Sequence, residues 1–309
     1  LFELSEYNLF NIERECLAIK DSKNLDTEII PILGDIRDRS NLEHVFQKFS
    51  IDQIYHAAAY KHVPIVENEN NISKAAENNI LGTYNLANSA VKHGVHSFVM
   101  ISTDKAVRPT NIMGATKRFA EIIIQSINSE SSNTKFSMVR FGNVINSSGS
   151  VIPLFIDQIS RGGPITVTHK DVMRYFMTIP EASNLVLQAG EMSSGGEVFI
   201  LDMGEQVKIF DLARKLIHLS GRNHADGDEV DGIEIVEVGL RPGEKMYEEL
   251  LISGSELKTE NPKIYKATES FIEPKILKPL LAELKESIVS FDNKKILTLL
   301  SQHVEGFNR

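Results

Sequence analysis

The chain has 309 residues, of which 42% are hydrophobic and 24% charged, and its formal net charge is −9. This composition is typical of a soluble globular protein with a full core, and the acidic balance argues against general binding to nucleic acid or to anionic membranes. The single cysteine excludes an intrachain disulfide and fits a reducing compartment. We find no run of about 18 apolar residues that would span a membrane and no signal-peptide pattern.

Strand and helix patterns alternate through the first half of the chain. Short apolar runs predict strands at 28–33, 53–55, 98–102 and 136–140, and helical spacing predicts helices near 39–49, 72–93 and 109–127. The alternation predicts an α/β fold with a doubly wound parallel sheet. Further along, we predict a helix at 180–192, a strand at 197–201, a helix at 210–219, a polar loop at 221–231 and helical structure at 275–300.

A hydroxyl, an acid and an ammonium follow the predicted strand at 98–102. They belong to the run Ser102, Thr103, Asp104 and Lys105. The carboxyl ends of strands are where open α/β sheets bind ligands, so this run is the strongest candidate for a site. Met113 and Lys117 follow, one turn apart on the same face of the next predicted helix.

Two acidic residues follow the predicted strand at 28–33. Asp35 could accept a hydrogen bond from an adenine amino group, and the residues alone leave that function and a purely local one equally open. Asp38 stands directly before a helix, so we favour an N-cap there.

Small and polar residues follow the strand at 53–55. Ala57, Ala58 and Ala59 allow either a ligand to approach the backbone or a helix to pack tightly on the sheet. Lys61 adds a cation beside this crevice, although a solvated surface position is the favoured explanation for any lysine. Asn79 is a poor helix former inside a predicted helix, which suggests a bond to a neighbouring strand; the alternative is a surface position.

Charged residues near the ends of two later segments suggest an anion site. Arg140 and Asn143 end the strand at 136–140, and Arg241 and Glu244 lie around a Pro-Gly turn. Arginine can grip a diphosphate with a bidentate fork, and Glu244 could hold a ribose diol; an ordinary surface turn is the alternative. The sequence has no G-x-G-x-x-G, no G-x-S-x-G and no cysteine or histidine cluster with metal-ligand spacing, so we expect no metal.

Taken together, the segments 34–38, 56–64, 101–117, 140–144 and 241–245 resemble the extended short-chain dehydrogenase/reductase superfamily. More narrowly, they are similar to the UDP-N-acetylglucosamine 4,6-dehydratases of capsular polysaccharide biosynthesis. The runs His-Ala-Ala-Ala-Tyr-Lys-His-Val-Pro and Ser-Thr-Asp-Lys-Ala-Val-Arg-Pro-Thr-Asn are specific to that family. The resemblance covers roughly residues 1–250 and implies a Rossmann-type fold.

The resemblance implies NAD as the cofactor. Family members begin with a strand and a glycine-rich loop, whereas this chain starts in what corresponds to their second strand. Glu3 then matches the acid that binds the adenosine ribose, which favours NAD over NADP. The other cofactor residues implied are Asp35, Ile36, Ala57, Ala58, Ala59, Lys61, Asn79, Ser102 and Lys117. We expect the natural protein to be longer by about thirty or more N-terminal residues.

The resemblance also implies a domain division and a location. We expect residues 1–150, completed by about 176–205, to form a Rossmann domain that lacks its first strand and glycine-rich loop. Residues 151–175 and 206–309 would form a smaller α/β sugar-nucleotide domain with C-terminal helices. We expect a cytoplasmic protein, located at the inner face of the membrane if it carries the N-terminal membrane helices that many family members have. We also expect a homo-oligomer.

Most members of the superfamily carry a catalytic tyrosine where this chain has Met113. A thioether cannot accept a proton, and one branch of the dehydratases shares this methionine. In that branch the resemblance assigns Lys105 as the base at C5 of the sugar and Asp104 as the acid for the leaving 6-hydroxyl. Thr103 would form a hydrogen bond with the C4 oxygen, and Lys117 would hold the nicotinamide ribose.

The implied substrate is UDP-N-acetylglucosamine. Its binding residues would be Lys61, Arg140, Asn143, Arg174, Arg241 and Glu244. The product would be UDP-2-acetamido-2,6-dideoxy-4-hexulose, with retention at C5 favoured by Met113. A nucleotide-sugar 4-epimerase and a non-catalytic NAD- or sugar-nucleotide-binding module remain as alternatives.

Overall fold

The computed structural model describes residues 1–131, 133–225, 232–250 and 256–309. The predicted polar loop at 221–231 therefore falls partly outside the described residues, from position 226 onwards. Among the helices of the described part, we find none with the length and apolar character needed to cross a bilayer.

The first half of the chain builds most of the parallel sheet. Its elements are β1 (Phe2–Glu3), α1 (Glu6–Lys23), β2 (Ile32–Leu33), α2 (Arg39–Lys48), β3 (Gln53–His56), α3 (Val63–Val66), a 3₁₀ turn (Glu69–Asn71), α4 (Ile72–Ala76), a π-helical stretch (Glu77–Gly82), α5 (Thr83–Lys92), β4 (Ser97–Ile101), a 3₁₀ turn (Asp104–Ala106), α6 (Ile112–Glu130) and β5 (Lys135–Arg140).

The second half adds one long parallel strand, short ladders and a C-terminal helical hairpin. Its elements are β6 (Asn143–Val144), α7 (Val151–Ser160), β7 (Ile165–Val167), β8 (Met173–Arg174), β9 (Phe176–Met177), α8 (Ile179–Glu191), β10 (Glu197–Leu201), β11 (Val207–Lys208), α9 (Ile209–Leu219), β12 (Asn223–His224), β13 (Gly232–Ile233), β14 (Ile235–Glu237), β15 (Leu257–Lys258), β16 (Ile264–Ala267), α10 (Pro274–Val289) and α11 (Asn293–His303).

The main sheet has the strand order β15-β16-β10-β5-β4-β3. Strands β3, β4, β5 and β10 run parallel, and β16 and β15 extend the edge antiparallel. Neighbouring residues of β4 face opposite sides: Phe98 and Met100 pack in a cluster with residues of α2, α5 and α6, and Val99 packs with residues of α8. Helices therefore cover both faces, as the alternating pattern predicted.

Two predicted elements have different bounds in the structure. The strand expected at 28–33 is reduced to Ile32–Leu33, which pairs in parallel with Phe2 and Glu3 of β1. The helix expected at 109–127 begins at Ile112, because the side chain of Asn111 accepts the Gly114 amide at 2.8 Å and caps the helix there.

Two predicted helices are divided. The one expected at 72–93 contains the π-helical stretch Glu77–Gly82, whose Asn79 makes bonds outside the helix. Such stretches often occur at functional sites. The helical region expected at 275–300 is split into α10 and α11 by a turn in which Phe291 has φ 55° and Asp292 caps the Lys295 amide.

The last segments of the chain, β16 and the helices α10 and α11, pack on the main sheet and on α6, whereas the division into two domains stays a prediction. Strand β16 pairs with β10, and the α10–α11 hairpin packs its leucines against Phe119 and Ile123 of α6. Burial of this apolar face fixes the helix that carries Lys117.

Candidate active site

A tight turn at the end of β4 carries the run Thr103, Asp104 and Lys105. Thr103 caps this turn, since its hydroxyl accepts the Lys105 amide at 3.3 Å. Helix α6 begins directly against it: a Cβ added at Gly114 would lie 2.1 Å from the carbonyl oxygen of Lys105. The turn is therefore held between the sheet and the start of α6, with little freedom to move.

Asp104 is fully buried, and its two carboxylate oxygens differ. Oδ1 accepts hydrogen bonds from the Thr103 hydroxyl at 2.8 Å and from Lys105 Nζ at 3.0 Å. Oδ2 is buried and has no hydrogen-bond partner among the described residues. A Cβ added at Gly142 would lie 3.1 Å from Oδ2, so the glycine leaves the space that this oxygen occupies. One carboxylate oxygen thus lacks the hydrogen bond that buried polar atoms normally make.

Lys105 lies between two carboxylates. Its Nζ is 3.0 Å from Asp104 Oδ1 and 3.3 Å from Oε1 of Glu248, whose side chain is 4% exposed. Burial by itself lowers the pKa of Lys105, but the charges of Asp104 and Glu248 outweigh it, and the pKa is raised. In this arrangement Lys105 is an ammonium at neutral pH.

Helix α6 places Met113 and Lys117 beside the turn. Nζ of Lys117 donates to the carbonyl oxygen of Ile101, the last residue of β4, at 2.7 Å. Burial lowers the pKa of Lys117 to about 8, with the charge of Glu121 acting in the opposite direction. Met113 is buried in the apolar cluster that includes Phe119, so no titratable group stands at that position.

The loop after β3 is fixed by Asn79. Its Oδ1 accepts the Tyr60 amide at 2.8 Å, and its Nδ2 donates to the Tyr60 carbonyl at 3.1 Å and to the Thr116 hydroxyl at 3.0 Å. Ala57 and Ala58 in this loop are exposed, and Ala59 is half-buried. Through Asn79, the π-helical stretch therefore holds the backbone of the loop that follows β3. The surface alternative for Asn79 is excluded, since the residue is buried.

His56, at the end of β3, is a buried neutral histidine. Its Nε2 lies 2.8 Å from the hydroxyl oxygen of Thr83, and that hydroxyl donates its own proton to the Asn79 carbonyl. Nε2 must therefore be the donor of the pair. Burial lowers the pKa of His56 to about 3, and the charge of Lys117 acts in the same direction.

The residues expected at the adenosine end of the cofactor lie at the ends of β1 and β2. Glu3 is half-buried, and its Oε1 accepts the Ser5 amide at 2.9 Å. Asp35 binds the Arg37 guanidinium through both oxygens, and this contact lowers its pKa. Ile36 is buried, and Lys61 is exposed.

Asp38 has the local function that the sequence favoured. Its Oδ1 accepts the amides of Ser40 and Asn41 at 2.9 and 3.1 Å and so caps α2. This prediction is confirmed.

Three of the predicted substrate residues lie close together on the other side of the turn. Arg174 Nη2 is 3.0 Å from Oε1 of Glu244, and Oε2 of Glu244 accepts the amide of Arg241 at 3.1 Å. The side chain of Arg241 itself is exposed. Asn143 is half-buried, and its amide donates to the carbonyl of Tyr175, the neighbour of Arg174. Arg174 is linked to Lys105 through Glu248, whose Oε1 contacts both cations.

Arg140 is placed differently from our expectation, which the structure corrects. Its side chain is 0% exposed, with Nη2 at 2.5 Å from Glu121 and Nη1 at 2.5 Å from Glu269. Ser102 is also buried, and its hydroxyl donates to Glu121 at 2.6 Å. Arg140 cannot reach a substrate from this position, because β5 points it into the interior against α6. Its contribution is to structure.

Three residues of the site were not found from the sequence. Glu121 lies one helical turn beyond Lys117, and helical spacing alone could have indicated it. Gly142 and Glu248 gave no local signal, because their contacts with Asp104 and Lys105 join segments that are distant along the chain.

Comparison with known proteins fits this geometry. Residues 1–269 match the family described as polysaccharide biosynthesis protein. The chain belongs to this family. It is 54% identical over 246 residues to the capsular polysaccharide biosynthesis protein CapD of Staphylococcus aureus, covering 80% of this chain and 39% of CapD. The chain thus spans about two fifths of that relative's length.

Two further similarities concern activity and fold. The chain is 33% identical to the inverting UDP-N-acetylglucosamine 4,6-dehydratase of Campylobacter jejuni, over 72% of this chain and 62% of that protein. The solved structure of Pen from Bacillus thuringiensis superposes with a TM-score of 0.75 at 34% identity, covering 92% of this chain and 88% of Pen. The extended short-chain dehydrogenase/reductase assignment and the Rossmann-type fold are confirmed.

Proposed function

We propose that this family member carries the catalytic residues of an NAD-dependent dehydratase that converts UDP-N-acetylglucosamine to UDP-2-acetamido-2,6-dideoxy-4-hexulose for surface polysaccharide synthesis. The observation that supports it most is the buried pair of Asp104 and Lys105, 3.0 Å apart, at the carboxyl end of β4 with Lys117 alongside. A site that only binds a ligand needs no such acid–base pair. The named activity of the Campylobacter jejuni relative supports the dehydration, although that relative is inverting and we propose retention at C5.

The residues present suit a nicotinamide dinucleotide. The exposed alanines after β3 leave the backbone open to a flat ligand, and the half-buried Glu3 carboxylate at the end of β1 would accept hydrogen bonds from a ribose diol. Lys117 would hold the nicotinamide ribose. When bound, NAD would accept a hydride from C4 of the sugar and return one to C6.

The proton transfers follow from the contacts of Thr103. Its hydroxyl lies 2.8 Å from Asp104 Oδ1, so a proton from the C4 hydroxyl can pass through Thr103 to Asp104. Lys105 as a free amine then removes the C5 proton, which the C4 ketone has made acidic. Asp104 gives its proton to the 6-hydroxyl, which leaves as water, and Lys105 returns its proton to C5. Since Lys105 rests as an ammonium, the cluster must first release one proton to solvent.

The substrate's diphosphate would bind to arginines on the other side of the turn that carries Thr103, Asp104 and Lys105. Arg174 and Arg241 supply the positive charge, Glu244 orients Arg174, and Asn143 lies beside the same backbone. This division leaves the sugar ring to face Thr103, Asp104 and Lys105.

The decisive experiment is incubation of the full-length natural protein with UDP-N-acetylglucosamine and NAD in D₂O, followed by NMR. We expect loss of water, a 4-keto-6-deoxy product, one deuterium at C5 and retained configuration at that carbon. Inverted configuration would correct the stereochemistry alone. UDP-N-acetylgalactosamine without deuterium at C5 would show an epimerase, and binding without any product would show a non-catalytic module.

A further inference from the structure

Glu248 is a buried carboxylate that contacts two functional cations. Its Oε1 lies 3.3 Å from Nζ of Lys105 and 3.7 Å from Nε of Arg174. Its side chain is 4% exposed, and its backbone carbonyl accepts a bond from Gln206 at 3.1 Å. Buried carboxylates are rare unless paired, so its partners indicate what it does.

The segment that carries Glu248 is attached to the catalytic turn. Nζ of Lys245 donates to the Val107 carbonyl at 3.0 Å, and the Thr110 hydroxyl donates to the Gly243 carbonyl at 2.7 Å. Glu248 therefore enters the site from the side of Arg174, while Asp104 enters it from the sheet. The Lys105 ammonium is held from two directions.

The charges around Lys105 are unequal. Asp104 and Glu248 both lie within 3.3 Å of Nζ, while Arg174, the cation whose charge opposes them, is in turn held by Glu244 at 3.0 Å. Two anions against one screened cation favour the ammonium form. A base at C5 has to be a free amine, so this arrangement opposes the chemistry until a proton is released.

We infer that Glu248 is a positioning residue that holds Lys105 against Asp104 and sets the pH at which Lys105 becomes a free amine. The contact of Glu248 with Arg174 also links Lys105 to the side of the site that would bind the diphosphate. This inference rests on the proposed function, because it takes Lys105 as the C5 base. A purely structural Glu248 would tie its segment to the fold without affecting the titration of Lys105.

The test compares Glu248→Gln with the parent in the full-length protein. The amide keeps an acceptor oxygen and removes the charge. We expect the acid limb of the pH profile for C5 deuterium incorporation to move to lower pH by about one unit or more. The second readout is NMR of lysine labelled with ¹³C at Cε, in which the Lys105 signal, assigned with Lys105→Arg, should titrate at lower pH in the variant. Glu249→Gln is the control, since Glu249 is an exposed neighbour paired with Arg108. It should leave both readouts unchanged.

Unchanged midpoints in Glu248→Gln would overturn the inference, as would an equal shift in Glu249→Gln. If Glu248→Gln does not fold, Glu248→Asp withdraws the charge by one methylene and should give a smaller shift in the same direction. A parent protein that forms no product would contradict the proposed function. The lysine titration would still decide whether Glu248 controls the protonation of Lys105.

Discussion

Two buried charge clusters meet near the end of β4, and they differ in how completely their members are paired. In the supporting cluster, Glu121 accepts bonds from Ser102, Arg118 and Arg140, and both arginines also contact Glu269. Burial alone would raise the pKa of Glu121, but Arg140 and Arg118 outweigh it and hold the pKa at about 2.

The catalytic cluster of Asp104, Lys105 and Glu248 is incompletely paired. Asp104 Oδ2 has no partner among the described residues, and the Lys105 side chain remains 19% exposed. Fully satisfied networks rigidify a core, whereas an unpaired buried oxygen is costly unless a ligand uses it. One cluster supports the strand end, and the other keeps an unpaired oxygen that would meet the substrate under the proposed function.

The largest effect should come from removing a member of the catalytic cluster. Asp104→Asn and Lys105→Ala, made separately, should each lower the rate of 4-keto-6-deoxy product formation by about 10²–10⁴-fold, because each removes one proton-transfer step. Product is followed by NMR, and folding by circular dichroism. Either variant turning over at the parent rate would sink the assignment of Asp104 and Lys105.

Removing the central carboxylate of the supporting cluster should instead affect stability. Glu121→Gln leaves Arg140 and Arg118 buried with one anion fewer, which should lower the free energy of unfolding by about 3–5 kcal/mol. Urea denaturation measures it. The control is Asp157→Asn, which breaks an exposed pair with Arg161 and should change little. Equal urea midpoints for Glu121→Gln and Asp157→Asn would show that Glu121 stabilises the fold no more than an exposed ion pair does.

The sequence predicted the sheet well because its signals are local. The predicted strands match β3, β4, β5 and β10 to within one or two residues, and β4 and β10, which are buried on both faces, read as continuous hydrophobic stretches. It failed where bounds depend on distant contacts: β2 is only the two residues that pair with β1, and the predicted C-terminal helix is interrupted at Phe291, which has a positive φ.

The site was predictable as far as it lies on one continuous segment. Thr103, Asp104, Lys105 and Lys117 all come from the strand end and the helix after it. Arg140 was misplaced because a charged residue at a strand end can face either side, and only the location of Glu121 and Glu269 shows which. Non-local contacts of this kind leave no pattern in a single sequence.

The junction between the clusters can be probed through Lys117, which is buried beside both. Its pKa falls from 10.5 to about 8 on folding, so between these values the unfolded chain binds a proton that the folded chain has lost. Stability should therefore rise with pH in this window, and the charge penalty, about 3 kcal/mol, applies in full below pH 8.

Urea denaturation at pH 7.5, 9 and 10.5 would test this by comparing the parent with Lys117→Met, which lacks the titrating group. The parent should gain stability relative to the variant across that range. A constant difference between the two proteins would mean that burial does not depress the pKa of Lys117.

The smallest expected effect tests the space around the unpaired oxygen of Asp104. In Gly142→Ala the new methyl would lie 3.1 Å from Asp104 Oδ2 and 3.2 Å from Cβ of Tyr175, which forces a shift of a few tenths of an ångström. We expect product formation to slow by about 10-fold or somewhat more, since small misplacements of a catalytic group are costly. The matched control is Gly190→Ala in α8, whose methyl would crowd Val99 at 2.9 Å on the far face of the sheet. That variant should lose stability but keep the parent rate per folded molecule. Equal slowing in both would attribute the effect to general strain, and a parent rate in Gly142→Ala would mean that Oδ2 takes no part in the reaction.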